Sequence, residues 1–175
     1  MNCWAVLPTP TASDAAHAVL EQWRDAGFRL MALVDDASDF RFPVPTVRAP
    51  QYKGWAWAMN ELCRHAASYG ADLVTCIGDD LLPRDGLAAD RLADAWRGFF
   101  GDSTYGVMQC TGDDYGEIHH AAVSPTIGRE YIARHRPFFE GYRHLYADRE
   151  LQDVAAARGV FRQCASLTIY HDHWT

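Results

Sequence analysis

Closely spaced cysteine pairs are missing from this sequence. Its five cysteines are an odd number at wide spacings, with no Cys-x-x-Cys pair. Three of them lie inside apolar runs, so the pattern argues against a disulfide framework or a cysteine zinc site and predicts buried free thiols. Free thiols indicate a reducing compartment, and we therefore expect a cytoplasmic protein.

Long apolar stretches and an excess of basic charge are also missing. No window approaches the length of a membrane span, and the first residues have the pattern of a strand, so we expect neither a membrane segment nor a signal peptide. The 23 acidic side chains outnumber the 16 basic ones, which gives a net charge of −7. That balance disfavours non-specific binding to nucleic acid.

What remains has the composition of a globular domain. Of the 175 residues, 49% are hydrophobic and 13% are aromatic. We expect one domain over residues 1–175, because a chain of this length can bury a substantial core. Strand and helix patterns alternate through the first hundred residues, which predicts a mostly parallel sheet covered by helices.

The predicted elements follow from apolar runs, helical periodicity and capping residues. Strands are predicted over residues 3–7, 29–34, 42–49, 73–77, 105–110 and 161–170. Helices are predicted from Thr11 or Ser13 to Ala26, over residues 54–68, after a cap at Asp85, over residues 127–133, and from Asp148 to the residue before Gly159.

The segment Ile77-Gly78-Asp79-Asp80 is the most informative part of the chain. It closes the apolar run of residues 71–77. Adjacent carboxylates at the end of a buried strand lose hydration and repel each other, and a divalent cation would reverse that penalty. We therefore interpret Asp80, with help from Asp79, as a metal site rather than as a polar turn before Pro83.

A second candidate ligand set follows the last predicted strand. In His171-Asp172-His173, alternation along a strand places the two histidines on one side. Ligands of open α/β sheets bind at the carboxyl ends of strands, where polar residues also follow the other predicted strands. Those residues are Pro8, Thr9 and Pro10, then Asp35 and Asp36, then Asp79 and Asp80, and then Gln109, Cys110 and Thr111.

Six segments in this order resemble the GT-A glycosyltransferases, in particular family 2 enzymes that use nucleotide sugars. The match covers nearly the whole chain. Residues 6–9 resemble the family's first strand and nucleotide loop, residues 33–39 resemble the strand that ends in Asp-Asp-Gly-Ser, and residues 53–60 resemble the Gly-x-x-x-x-x-Asn helix. Residues 78–83 lie at the place of the Asp-x-Asp motif. Residues 148–151 resemble Glu-Asp-x-Glu-Leu, and residues 169–173 resemble the late His-x-His segment.

The resemblance implies a fold and a chemistry. The fold would be α/β, a GT-A or nucleotide-diphospho-sugar transferase fold with a mostly parallel central sheet flanked by helices. The activity would be hexosyl transfer from a nucleotide sugar, UDP favoured, to an acceptor hydroxyl, with inversion and Mn²⁺ or Mg²⁺ as cofactor. Asp148 would be the general base, Asp80 with His171 or His173 would hold the metal, and the donor would contact Pro8, Thr9, Asp35, Asp36, Lys53, Asn60, Asp79 and Asp80.

Two positions depart from the family pattern. Gly78 replaces the first Asp of Asp-x-Asp, which moves the metal to Asp80, and Ala147 stands where the family often has Glu. Asp148 is also of a residue type that is preferred at the N-cap of a helix. Glu150 is expected to interact with the helix dipole or with a sugar hydroxyl. Phe138, Phe139 and Tyr142 are predicted to form the acceptor wall.

Three alternatives stay open at this point. Nucleotidyl transfer ranks below glycosyl transfer, because the loop after the first strand, residues 8–12, has neither glycine nor lysine. A non-catalytic nucleotide-sugar-binding module is compatible with the altered motifs. The acceptor is a saccharide or another hydroxyl compound, or a hydroxymethylated DNA base, since compact versions of the fold resemble bacteriophage glycosyltransferases.

Overall fold

A computed structural model describes residues 1–9, 13–35, 41, 43–111, 123–142 and 146–172. The strands within these residues are β1 (Cys3–Pro8), β2 (Arg29–Asp35), β3 (Thr46–Ala49), β4 (Leu73–Cys76), β5 (Leu81–Arg84), β6 (Val107–Thr111), β7 (Pro125–Gly128) and β8 (Phe161–His171). The helices are α1 (Asp14–Asp25), α2 (Trp55–Ser68), α3 (Ala89–Phe100), α4 (Arg129–Arg134) and α5 (Ala147–Ala157).

These eight strands form one sheet in the order β3-β2-β1-β4-β7-β6-β8-β5. The neighbours β3, β2, β1 and β4 are parallel, and so are β6 and β8. Strands β7 and β5 run antiparallel to their neighbours. The sheet is therefore mixed but mostly parallel, with helices on both faces, as the sequence predicts.

The central strands are apolar on both faces because helices cover both sides of the sheet. Helices α1 and α3 cover one face, where Trp23 and Trp96 are fully buried. Helices α2, α4 and α5 cover the other, where Met59 and Leu151 are almost fully buried. Burying a large apolar side chain contributes about 1.5–3 kcal/mol, so these two layers carry most of the fold's stability.

The prediction that Asp85 caps a helix is wrong. Asp85 lies in a turn with φ of +52°, and α3 begins at Ala89, after an N-cap residue without a side-chain hydrogen bond. Strand β5, which the sequence does not predict, includes Pro83, and this is tolerated because β5 is an edge strand of the sheet. Ile127, expected in a helix, belongs to β7.

All five cysteines are buried free thiols, as predicted. Burial is the largest of the causes that hold the pKa of Cys76 well above its usual range, and the nearby Cys63 thiol, with 3.8 Å between the sulfurs, adds to it. None of the helices that the structure describes is long and apolar enough to cross a bilayer.

Candidate functional site

The carboxyl ends of the parallel strands lie along one edge of the sheet. Pro8 and Thr9 leave β1 at this edge, and the backbone N–H of Thr9 donates to Leu33 O at 2.9 Å. Asp35 ends β2 beside them. Because β8 is parallel to β6, which runs in the direction of β4, His171 reaches the same edge. The edge thus collects Pro8, Thr9, Asp35 and His171, whereas Lys53 precedes α2 and Asn60 lies within it. Asp36 and His173 lie outside the described residues.

Asp80 and His171 meet at this edge although 91 positions separate them. His171 Nε2 lies 2.9 Å from Asp80 Oδ2, and the backbone N–H of Asp172 donates to Asp80 O at 2.8 Å. Both side chains are partly buried, with 15% of His171 and 32% of Asp80 exposed. The sequence predicts that Asp80 and a tail histidine meet on one cation; the structure brings Asp80 and His171 into contact, and the shared cation stays a prediction.

Two contacts hold the Asp80 turn in position. Strand β5 begins at Leu81 directly after the turn and pairs antiparallel with the end of β8, with Leu81 opposite His171. From the other side, the indole N–H of Trp23 donates to Leu81 O at 2.8 Å, a buried bond from α1 to β5. The position of Asp80 is therefore set by the core and not only by its bond to His171.

Gly78 is where the Asp80 carboxylate comes closest to the main chain. A Cβ atom built on Gly78 would lie 2.6 Å from Asp80 Oδ1, well below an ordinary contact. A side chain at this position would therefore require the Asp80 carboxylate to shift. Glycine at position 78, where the family has the first Asp of Asp-x-Asp, leaves room for the carboxylate as it stands.

The pair fits a divalent cation only in part. A carboxylate oxygen and an imidazole nitrogen are suitable donors for Mn²⁺ and, through the oxygen, for Mg²⁺. Among the residues that the structure describes, no group of three or more His, Cys, Asp or Glu side chains converges. Two protein donors suffice when phosphate oxygens and water fill the remaining positions, so the site suits a cation that arrives with a diphosphate.

Tyr52 is a site residue that sequence reasoning missed. Burial, followed by the negative charge of Asp79, raises the pKa of Tyr52 to about 12. The phenol therefore stays mostly protonated even above pH 10 and can donate a hydrogen bond near Asp79. Its neighbour Lys53 lies with its Nζ 5.4 Å from the centre of the Trp57 ring. No sequence pattern marks Tyr52, because its position depends on how the loop before α2 folds toward Asp79.

Asn60 has a structural role in this fold. Its amide nitrogen donates to Phe138 O at 2.7 Å and to Glu140 Oε1 at 3.0 Å, while its Oδ1 accepts from Phe138 N at 3.0 Å. Trp55 packs edge-on against Phe138, with ring centroids 4.9 Å apart. Asn60 therefore holds the segment after α4 against α2, and its expected contact with the nucleotide stays a prediction.

The first turn of α5 carries the predicted base. Tyr146 is the N-cap residue of α5, in a left-handed conformation and without a side-chain cap bond, so the expectation of a cap at Asp148 is wrong. Asp148 Oδ1 instead accepts from the backbone N–H of Arg149 at 2.8 Å. The Asp148 carboxylate is half-buried in the first turn, and its catalytic role stays a prediction.

The acceptor wall is only partly where the sequence predicts it. Phe138 is completely buried, so it belongs to the core and cannot contact a ligand directly. Phe139 is 61% exposed and Tyr146 is 68% exposed, with Tyr142 between them at ring distances of 5.5 Å and 6.4 Å. Exposed aromatic rings in series are suited to stacking on sugars or bases.

The architecture and the polar sheet edge define the class of fold: the chain has the GT-A fold of nucleotide-diphospho-sugar transferases. It is similar to a protein from Bacillus anthracis assigned as a glucose-1-phosphate thymidylyltransferase and solved with sucrose, at 8% identity and TM-score 0.62 over 93% of this chain and 86% of that one. The chain is also similar to the TarS fragment 1–349 from S. aureus, at 10% identity and TM-score 0.59, over 100% of this chain and 59% of the fragment.

A mutant β1,4-galactosyltransferase 7 from Drosophila is a further similar structure. It was solved with manganese, UDP-Gal and xylobiose, and it is 13% identical with a TM-score of 0.58 over 95% of this chain and 65% of that one. Neither a protein-family model nor a curated protein sequence matches the chain.

Proposed function

We propose that this protein transfers a glycosyl group from a nucleotide sugar, with UDP as the favoured nucleotide, to a hydroxyl group of an acceptor. The observation that carries the proposal is the pair of Asp80 and His171, 2.9 Å apart at the edge of the sheet where ligands of such folds bind. The manganese and UDP-Gal complex of the Drosophila enzyme supports it, since that enzyme binds both on the same fold.

We assign the metal and the nucleotide sugar to this edge. Asp80 and His171, with His173 as a further candidate, would hold Mn²⁺ or Mg²⁺, which when bound neutralises charge on the diphosphate. Asn60 would contribute by holding the segment after α4 against α2. The proposed contacts of the nucleotide sugar are Pro8, Thr9, Asp35, Asp36, Lys53, Asn60, Asp79 and Asp80.

The proposed reaction is a single displacement. The acceptor oxygen attacks the anomeric carbon, the bond from that carbon to the diphosphate oxygen breaks, and the nucleoside diphosphate leaves with the bonding electron pair. Asp148 accepts the acceptor's proton. The configuration at the anomeric carbon inverts because the acceptor oxygen attacks from the side opposite the leaving diphosphate in one step. With Asp148→Asn we expect transfer to fall by about 100-fold or more while donor binding is retained.

The test measures turnover of UDP-sugars with Mn²⁺ for Asp80→Asn, His171→Ala and the control Asp172→Asn. Asp172 is an exposed neighbour of the same type, so its variant should match the wild type. We expect the Asp80 and His171 variants to lose nucleotide binding that depends on Mn²⁺. Unchanged binding in Asp80→Asn would refute the metal site, and release of pyrophosphate from a nucleoside triphosphate would identify a nucleotidyltransferase instead.

A further inference from the structure

A cavity of about 610 Å³ lies between α4, the segment that follows it, and α5. Its volume falls within the range of about 300–1,000 Å³ that is usual for small-molecule sites. Phe139 and Val154 give it apolar lining, whereas Asp80 and His171 do not line it. The cavity is therefore a second candidate site, next to the exposed aromatic rings and distinct from the metal pair.

Glu150 is the acidic group on the α5 wall of this cavity. It lies in the first turn of α5, and its Oε2 atom is buried without a hydrogen-bond partner among the described residues. A buried carboxylate oxygen without a donor is costly, so turning the Glu150 side chain toward a ligand in the cavity, which would supply the missing donor, would be stabilising. Hydroxyl groups are donors of this kind. Asp148 does not line the cavity, since two positions on a helix point about 200° apart.

Three arginines line the same cavity in a chain whose overall charge is −7. Arg134 makes an exposed ion pair with Glu130 at 3.3 Å, which is weak enough to exchange for a ligand. Arg136 is exposed and pairs at 3.2 Å with Glu140, a partly buried carboxylate that also lines the cavity. Arg158 donates from Nη1 to Tyr131 OH at 3.0 Å, which uses one of its five N–H groups. Guanidinium groups bind phosphate through paired hydrogen bonds, so this part of the cavity suits an anion.

We propose that the cavity binds a phosphorylated monosaccharide, with its hydroxyl groups on Glu150 and its phosphate on Arg134, Arg136 and Arg158. Glu150 and Arg158 are eight residues apart, about 12 Å along the helix. This assignment rests on the proposed function, since the bound sugar phosphate would be the acceptor whose hydroxyl group takes the glycosyl group.

Calorimetry on the full chain tests the binding without donor or metal. Glucose 6-phosphate should bind at least tenfold more tightly than glucose or inorganic phosphate, because only the sugar phosphate reaches both ends of the cavity. Equal binding of glucose 6-phosphate and inorganic phosphate would overturn the proposal.

The Glu150→Gln variant separates specific binding from general charge attraction. Loss of one negative charge by itself would tighten the binding of any phosphate compound. If Glu150 accepts hydrogen bonds from the sugar, glucose 6-phosphate should instead bind about tenfold more weakly while inorganic phosphate is not weakened. The matched control is Glu21→Gln on the exposed side of α1. Tighter or unchanged binding of glucose 6-phosphate in Glu150→Gln would refute the role of Glu150.

The Arg158→Gln variant tests the phosphate end, with Arg162→Gln on β8 as its control outside the cavity. Arg158→Gln should weaken both glucose 6-phosphate and inorganic phosphate, and wild-type binding would contradict the assignment. A transfer assay then separates the two proposals. If glucose 6-phosphate binds but is not glycosylated by an enzyme that hydrolyses the donor, the acceptor role is wrong. If it binds and no donor is turned over, the proposed function is wrong.

Discussion

The substitution Gly78→Ala tests the geometry of the candidate metal site with a single methyl group. The new Cβ would lie 2.6 Å from Asp80 Oδ1, whereas ordinary contacts begin at 3.4 Å. Oδ1 must therefore retreat by about 0.8 Å, because the core bonds of the Asp80 turn leave the main chain little freedom. We expect the resulting turn of the carboxylate to carry Oδ2 out of its 2.9 Å contact with His171 Nε2.

The expected effect on stability is small and the effect on ligand binding is large. Loss of the partly exposed contact costs about 1 kcal/mol or less. Replacing Gly by Ala restricts the unfolded chain and returns about 0.4–1 kcal/mol, since Gly78 has no positive φ. The two terms nearly cancel. Displacing one of two protein ligands should weaken Mn²⁺ binding in the presence of UDP by about 10- to 100-fold.

The assay combines calorimetry of Mn²⁺ and UDP with thermal unfolding. The matched control is Gly98→Ala, because a Cβ at Gly98 in α3 meets nothing within 4 Å. That control should bind like the wild type and gain up to about 1 kcal/mol in stability from helix propensity. If Gly78→Ala binds Mn²⁺ and UDP as tightly as the wild type, the arrangement of Asp80 beside His171 is not the metal site.

Three further predictions concern the residues around the sheet edge. Asn60→Leu leaves the buried backbone groups of Phe138 without partners and should cost about 3 kcal/mol in chemical denaturation; a loss below about 1 kcal/mol would contradict the structural role. Tyr146→Gly relieves the left-handed φ of +71° and should be more stable than Tyr146→Ala, which keeps the strain; equal stabilities would mean that the strain is absent. The raised pKa of Tyr52 favours the folded state below pH 10, and this contribution is lost as the pH rises from 10 to about 12. Tyr52→Phe should remove this loss of stability above pH 10. Asp79→Asn should move the ultraviolet titration of the Tyr52 phenol part of the way toward pH 10. A titration that Asp79→Asn leaves unchanged would refute the proximity of Tyr52 and Asp79.

The central part of the fold is predictable because its patterns are local. Strands β1, β2 and β4 are apolar runs buried on both faces, and α1 and α2 repeat apolar residues at helical spacing. Strands β5 and β7 have only four residues each and contain Pro83 and Pro125. Their strand state depends on pairing with distant neighbours, so no local signal predicts them.

The candidate site, like the fold, is predictable from the sequence only in part. The polar residues after each strand indicate one active edge, and this rule brings Asp80 and His171 together across 91 positions. Tyr52 and the burial of Phe138 could not be predicted, because both depend on how loops fold against α2 and the sheet edge. Asp148 and Glu150 are two similar carboxylates in sequence, and only the packing of α5 shows that Glu150 lines the cavity.

The sequence by itself determined the order of the main elements, the buried state of the thiols and the edge of the sheet where acidic residues and histidine gather. These features follow from residue type and periodicity, which depend only on residues close together along the chain. The tertiary structure decided that Gly78 must lack a side chain, that His171 rather than solvent faces Asp80, and that Glu150 has a buried oxygen. Those facts depend on contacts of a few ångströms between segments that meet only when the sheet has formed.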